Sequence, residues 1–169
     1  MKLVVRNMLF VLLVPGTVVV WAPLMIVYTH HLGWPPMDVT SVLGVLCMAI
    51  GGMLGLWCVR EFFVKGQGTP APAAPPKHLV VSGLYRYTRN PMYVSVLTIL
   101  LGEALIWRSG ILLIYAGCFF LVVRFFVLGY EEPHLRKTFG KAYEDYCAHV
   151  PRWFPYKKGY VAPEDARPE

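Results

Sequence analysis

The chain's 169 residues suffice for one domain and little else. Hydrophobic residues make up 56% and charged residues 15%, where ordinary soluble domains hold roughly 45–50% and about 25%. With a mean hydropathy of +0.50, this excludes a disordered chain and argues against a water-soluble globule. Lys and Arg number 16 against 10 Asp and Glu, a formal charge of +6, which in so apolar a chain is assigned to a membrane surface rather than to nucleic acid.

Four apolar stretches follow one another along the chain, at about residues 8–28, 39–64, 91–107 and 111–129. A membrane-spanning helix needs about 20 mostly apolar residues. The first, second and fourth meet that length, and the third is short and carries Glu103. The first follows Lys2 and Arg6 as a signal peptide would, but it is too long for a signal core and no small-x-small cleavage site closes it. It is read as a retained helix. Basic residues alternate with the spans. Lys2 and Arg6 precede the first, and the loop with His30, His31 and Asp38 has no Lys or Arg. Lys65, Lys77, Arg86 and Arg89 follow the second, and Arg108 alone separates the third from the fourth. The tail carries Arg136, Lys137, Lys141, Arg152, Lys157, Lys158 and Arg167. Under the positive-inside rule this pattern predicts four spans with both termini cytoplasmic, in an inner or plasma membrane if the source is bacterial.

Local signals place the element ends. Asn90-Pro91 reads as an N-cap and first helical residue, and Ser109 can cap the fourth helix in the same way. Gly51 and Gly55 lie four apart on the second helix, so another helix can pack closely there, from the same chain or from a second copy in a homodimer. Residues 66–76, rich in Gly, Pro and Ala, predict an extended connection. Beyond Pro133, which bends or restarts the helix, Leu135, Phe139, Ala142, Tyr143, Tyr146 and Val150 recur at helical spacing opposite Arg136, Lys137, Lys141, Glu144 and Asp145. That pattern predicts an amphipathic helix along the cytoplasmic surface. The expected fold is an all-α polytopic membrane protein, four transmembrane helices plus this C-terminal helix. As one domain it would run through two helices (1–64), a cytoplasmic loop (65–92), a helical hairpin (91–129), a cytoplasmic helix (130–155) and a tail (156–169).

Two polar blocks are richer than linkers need to be. From His78 to Tyr93 the chain sets Tyr85, Tyr87 and Tyr93 around Arg86 and Arg89, just before a helix start, where free N–H groups favour a carboxylate or phosphate. The same residues also suit a plain interfacial belt. In the second block Glu131 and Glu132 end the apolar run, and Arg124, seven residues before Glu131, falls on nearly the same helix face. A charge such as Arg124 inside a spanning helix calls for a partner or a function. The glutamates fit equally a solvated pair, with Glu132 and Arg136 as an i,i+4 bridge. No metal is expected. His30, His31, His78, His134 and His149 form no ligand spacing, and Cys47, Cys58, Cys118 and Cys147 form no C-x-x-C pair.

The run His78-Leu79-Val80 through Gly83, Tyr85-Arg86, Arg89-Asn90-Pro91 and Tyr93 is followed by a tight helical hairpin. Then come Glu131-Glu132-Pro133-His134-Leu135, Phe139-Gly140, Tyr143, Tyr146 and Val150-Pro151-Arg152. Together these residues resemble the isoprenylcysteine carboxyl methyltransferase family, which belongs with the membrane phospholipid methyltransferases. The resemblance covers about residues 77–155. It implies an S-adenosylmethionine-dependent methyltransferase whose cofactor sits on the cytoplasmic side, between the loop and the post-hairpin helix. It implies cofactor contacts from His78, Leu79, Val80, Gly83, Tyr85, Arg89, Asn90, Pro91, Tyr93, Glu131 and Glu132, and a catalytic set of Arg124, Glu131 and Glu132. Asn90 stands where many relatives have His, and Arg124 lies further before the glutamates than the usual arginine. The implied partner is a lipid-like or prenyl-bearing acceptor reached through the membrane, with carboxyl O-methylation first and phospholipid N-methylation as the alternative. A nicotinamide-dependent membrane reductase and a non-catalytic scaffold are the competing readings.

Overall fold

A computed structural model of the protein describes residues 15–64, 79–155 and 159–161, the side chains of Phe62 and Phe63 excepted. Lys2 and Arg6 with the start of the first apolar stretch, the connection at 66–76, His78, and Lys157, Lys158 and Arg167 of the tail lie outside the described residues. The described residues form helices and turns and no strand. In chain order these are a π-turn at Thr17–Trp21, α1 (Ala22–Thr29), α2 (Val39–Val64), a 3-10 turn at Gly83–Arg86 and α3 (Pro91–Ile106). There follow α4 (Gly110–Phe126), a second π-turn at Val127–Glu131, α5 (Glu132–Phe139) and α6 (Lys141–His149).

Two stretches are long and apolar enough to cross a membrane, Val39–Glu61 with 23 residues and Gly110–Phe139 with 30. Thr17–Thr29 and Pro91–Ile106 are shorter; at 1.5 Å per residue the 16 residues of α3 rise about 24 Å against a hydrocarbon core of about 30 Å. Exposure decides what the long helices are for. Val42, Leu43, Leu46 and Met53 of α2 and Leu113, Ile114, Leu121 and Phe125 of α4 are open on the surface, where the core helix of a soluble protein would bury them. Such side chains find their apolar solvent in lipid.

Two compact units make up the chain, Met1–Gly55 with Tyr93–Val122, and Leu56–Met92 with Val123–Glu169. In the first, α2 and α3 meet through glycine. A Cβ on Gly102 would lie 2.6 Å from the Gly44 carbonyl oxygen, one on Gly44 would lie 2.6 Å from that of Gly102, and one on Gly51 would lie 2.7 Å from the Ser95 oxygen. Only hydrogen in these places lets the backbones approach so closely. Gly51 and Gly55 thus face α3 of the same chain, and Gly44 and Gly102 extend that seam beyond the spacing visible in the sequence. Asp38 caps α2, its Oδ1 accepting from the Ser41 N–H at 3.1 Å. Its other oxygen pairs with Arg108, whose Nε also donates to Thr40 Oγ1 at 2.9 Å. Ser109 opens α4, with Oγ 3.4 Å from the Leu112 nitrogen. Glu103 is buried, and its Oε2 has no hydrogen-bond partner among the described residues.

In the second unit the helix that runs on from the end of α4 changes pitch. Val123, Val127 and Glu132 are its buried positions, spaced by four and then by five. The extra residue comes from the π-turn, in which the Glu132 N–H reaches back to the Val127 carbonyl. Pro133 supplies the reason: it lacks an N–H and its ring crowds the carbonyl four residues earlier, so the turn widens. The first π-turn has the same arrangement, Ala22 N–H to the Thr17 carbonyl with Pro23 next. The C-terminal helical pattern divides at Gly140, whose φ of +52° and ψ of −129° suit glycine alone and separate α5 from α6. Tyr143, Tyr146 and Val150 then form a buried cluster with Leu79, Val81, Leu135, Phe139, Cys147 and Tyr160 packed on it. A second cluster holds Cys58, Val80 and Tyr85 with Leu84 and Met92.

Candidate functional site

The loop before α3 and the segment after α4 meet within the second unit, and polar groups join them. Residues 79–92 carry few backbone bonds of their own beyond the 3-10 turn, so their donors and acceptors turn to the C-terminal segment. The Arg89 N–H donates to the Pro151 carbonyl at 2.9 Å, and the Tyr160 N–H to the Arg86 carbonyl at 2.9 Å. Thr88 Oγ1 donates to the carbonyls of Arg152 and Trp153, and Asn90 Nδ2 to that of Arg152 at 3.0 Å. From the other side, the Tyr146 hydroxyl donates to the Tyr85 carbonyl at 2.6 Å. Burial pushes the phenols of Tyr85, Tyr143 and Tyr146 well up from their ordinary value, so all three remain neutral. The Tyr160 hydroxyl donates to Asp145 at 2.6 Å, and burial, with that bond, pushes it up to about 12.

At the centre lies Glu132, 5% exposed. The π-turn explains its position, because an unbroken α-helix would have put Glu131 beneath Val127. Arg152 grips the carboxylate with two nitrogens, Nε at 2.6 Å and Nη2 at 3.0 Å. Arg89 Nη1 lies 3.2 Å away and the more exposed Arg136 3.8 Å away. The hydrogen bond to Glu132 in turn raises the Arg152 guanidinium further. One bidentate pair of bonds on a buried carboxylate makes a firm contact, and a carboxylate so engaged is a poor proton acceptor. Arg89 also donates from Nη1 to Cys147 Sγ at 2.7 Å. Its Nε is buried with no hydrogen-bond partner among the described residues. A buried guanidinium donor left without an acceptor is costly in a finished core, and it is the arrangement that an incoming carboxylate or phosphate would complete.

Of the residues singled out from the sequence, Leu79, Val80, Gly83, Tyr85, Arg89, Asn90, Pro91, Glu131 and Glu132 all belong to this unit. Val80, Tyr85, Asn90 and Glu132 are buried, Glu131 is half-buried, and Pro91 is the first residue of α3. Tyr93 belongs to the first unit, and His78 lies outside the described residues. Arg124 is exposed and forms no ion pair among the described residues. The i,i+7 alignment expected between it and Glu131 assumes an unbroken α-helix, and the π-turn removes that condition. Neither Arg152 nor Glu61 is among those site residues. Arg152 stands in the Val150-Pro151-Arg152 close, but no spacing rule ties it to a glutamate 20 residues earlier. Glu61, 7% exposed, had only one signal, an acid at the end of an apolar helix. The four cysteines are free thiols, and among the described residues no group of three or more His, Cys, Asp or Glu is placed to hold a metal ion.

A family model described as phospholipid methyltransferase matches residues 39–142, more than half of the chain. No solved structure matches it.

Proposed function

Because the chain belongs to the phospholipid methyltransferase family and so is a membrane methyltransferase, we propose that it moves a methyl group from S-adenosylmethionine to a lipid-like or prenyl-bearing acceptor at the cytoplasmic face. One observation carries the reading: the buried Arg89 Nε without an acceptor, on a guanidinium whose other end is fixed by Glu132 and Cys147. The residues fit the cofactor. Arg89 would hold its carboxylate, half-buried Glu131 its ammonium or ribose hydroxyls, and the tyrosines of the loop would favour its sulfonium by about 0.5–2 kcal/mol. When bound, the cofactor supplies an electrophilic methyl for in-line displacement. The chain's own contribution is alignment and the exclusion of water. Glu132, locked by Arg152 and Arg89, keeps Arg89 in place rather than moving protons.

The acceptor in this reading bears a carboxylate. Such a group attacks without losing a proton, and the excess of arginine over free carboxylate around Glu132 favours an anion. A second reading, an amine headgroup, is favoured by the family's description and would need Glu131 to take the proton. The proposed topology is four spans with cytoplasmic termini, α3 being the short third one. The helices α5 and α6 lie at the cytoplasmic surface with their charged face to water.

Ligand binding tests the proposal. Purified in detergent, the protein should bind S-adenosylhomocysteine and gain thermal stability by linkage, and NADPH should have no effect. Arg89→Ala should lower that affinity by about tenfold or more. Stabilisation by NADPH alone would favour a reductase, and stabilisation by neither ligand would favour a scaffold.

A further inference from the structure

Glu61 ends the apolar part of α2, and its carboxylate is directed inward. Trp57, one helical turn earlier, donates from Nε1 to Glu61 Oε1 at 3.3 Å. The hydroxyl of Ser82, 21 residues further along the chain, donates to Oε2. Arg60 is 3.7 Å from Oε1 but 70% exposed, so its pairing is weak. The next loop residue, Gly83, has φ +55°, and a Cβ built on it would lie 2.9 Å from Glu61 Cδ and 3.0 Å from Cγ. Backbone conformation and close contact thus both demand glycine here. Gly83 opens the 3-10 turn that lowers Tyr85 into its cluster with Cys58 and Val80 and delivers the chain to Arg89. A buried carboxylate adds little stability that an apolar residue of similar volume could not provide. Its two directed bonds fix a loop instead.

We propose that Glu61 is a positioning residue, tethering Ser82 and Gly83 so that the loop presents Tyr85 and Arg89 in the geometry that receives the methyl donor. The proposal rests on the methyltransferase reading for its ligand, but the tether itself does not. Its hold is through hydrogen bonds and shape, with no need for a negative charge. A glutamine in its place can accept from Trp57 through Oε1 and donate to the Ser82 hydroxyl through Nε2.

The test compares wild type, Glu61→Ala, Glu61→Gln and Ser82→Ala by titration with S-adenosylhomocysteine and by amide exchange over residues 79–92 without ligand. Glu61→Ala and Ser82→Ala should each weaken binding about tenfold and speed exchange through residues 82–89 by a similar factor. Glu61→Gln should stay within about threefold of wild type in both. In turnover assays the KM for S-adenosylmethionine should rise more than kcat falls. Wild-type exchange and affinity in Glu61→Ala would overturn the proposal, as would a glutamine variant as impaired as the alanine one. If Glu61→Ala does not accumulate, Ser82→Ala removes the same bond from the loop side, and a wild-type result there overturns the proposal equally. Should the wild type fail to bind the ligand, the functional reading falls, while the exchange rates still decide whether Glu61 holds the loop.

Discussion

Removing the Glu132 carboxylate should loosen the whole junction between the loop and the C-terminal segment. The side chain of Glu132 is 6% exposed, that of Arg89 11% and that of Arg152 30%. Taking one partner from a buried pair costs about 3–5 kcal/mol, because a buried charge is left uncompensated. Arg152 can turn partly to water, so Glu132→Ala is placed at the low end, about 3 kcal/mol. Arg152→Ala leaves Glu132 its contact with Arg89 and removes charge-assisted hydrogen bonds, at a cost of about 2 kcal/mol. The double variant should also lose only about 3 kcal/mol, since both changes abolish one interaction, and the coupling is then about 2 kcal/mol. A built-in reporter exists in the Arg89 amide, which donates to the Pro151 carbonyl. Hydrogen exchange at that amide should accelerate roughly 100-fold in Glu132→Ala, at tenfold per 1.4 kcal/mol. Single-variant effects that add within about 0.5 kcal/mol would show the two residues to be independent and refute the cluster as the centre of the site.

Three further outcomes follow from other contacts. Tyr146→Phe leaves the buried Tyr85 carbonyl without its 2.6 Å donor and should cost about 1–3 kcal/mol, read as faster exchange in residues 84–88. Gly102→Val drives a side chain into the Gly44 carbonyl, an overpacking worth about 1–3 kcal/mol or more, so the yield of folded protein in detergent should fall well below that of Gly52→Val, where a Cβ meets nothing within 4 Å. Gly140→Ala must hold φ +52° with ψ −129° and should lose about 1–3 kcal/mol, visible as earlier melting of α5 and α6.

What the sequence revealed and what it concealed have a common physical cause. Apolar runs and their caps are local, and so α3 and α4 start where Asn90-Pro91 and Ser109 predict, and α2 starts with its apolar run at Val39. The seam at Gly51 and Gly55 was visible for the same reason, whereas Gly44 and Gly102 become meaningful only once two helices are laid together. At the site, the two blocks containing Arg89 and Glu132 were legible as motifs. Which glutamate turns inward was not, because one proline widens one turn and moves the buried position from 131 to 132. Arg152 and Glu61 act across sequence separations of 20 and 21, distances at which periodicity carries no information. The break at Gly140 was likewise hidden inside an apolar pattern that continues through it.

Methyl transfer to a membrane-embedded acceptor is tested most directly by offering labelled S-adenosylmethionine to the protein with native lipid extract. Label should enter an organic-soluble product, released by mild base if the acceptor is a carboxylate and retained if it is an amine, and Arg89→Ala should abolish most of that transfer. Unlabelled lipid in the presence of folded wild-type protein that binds no S-adenosylhomocysteine would contradict the account.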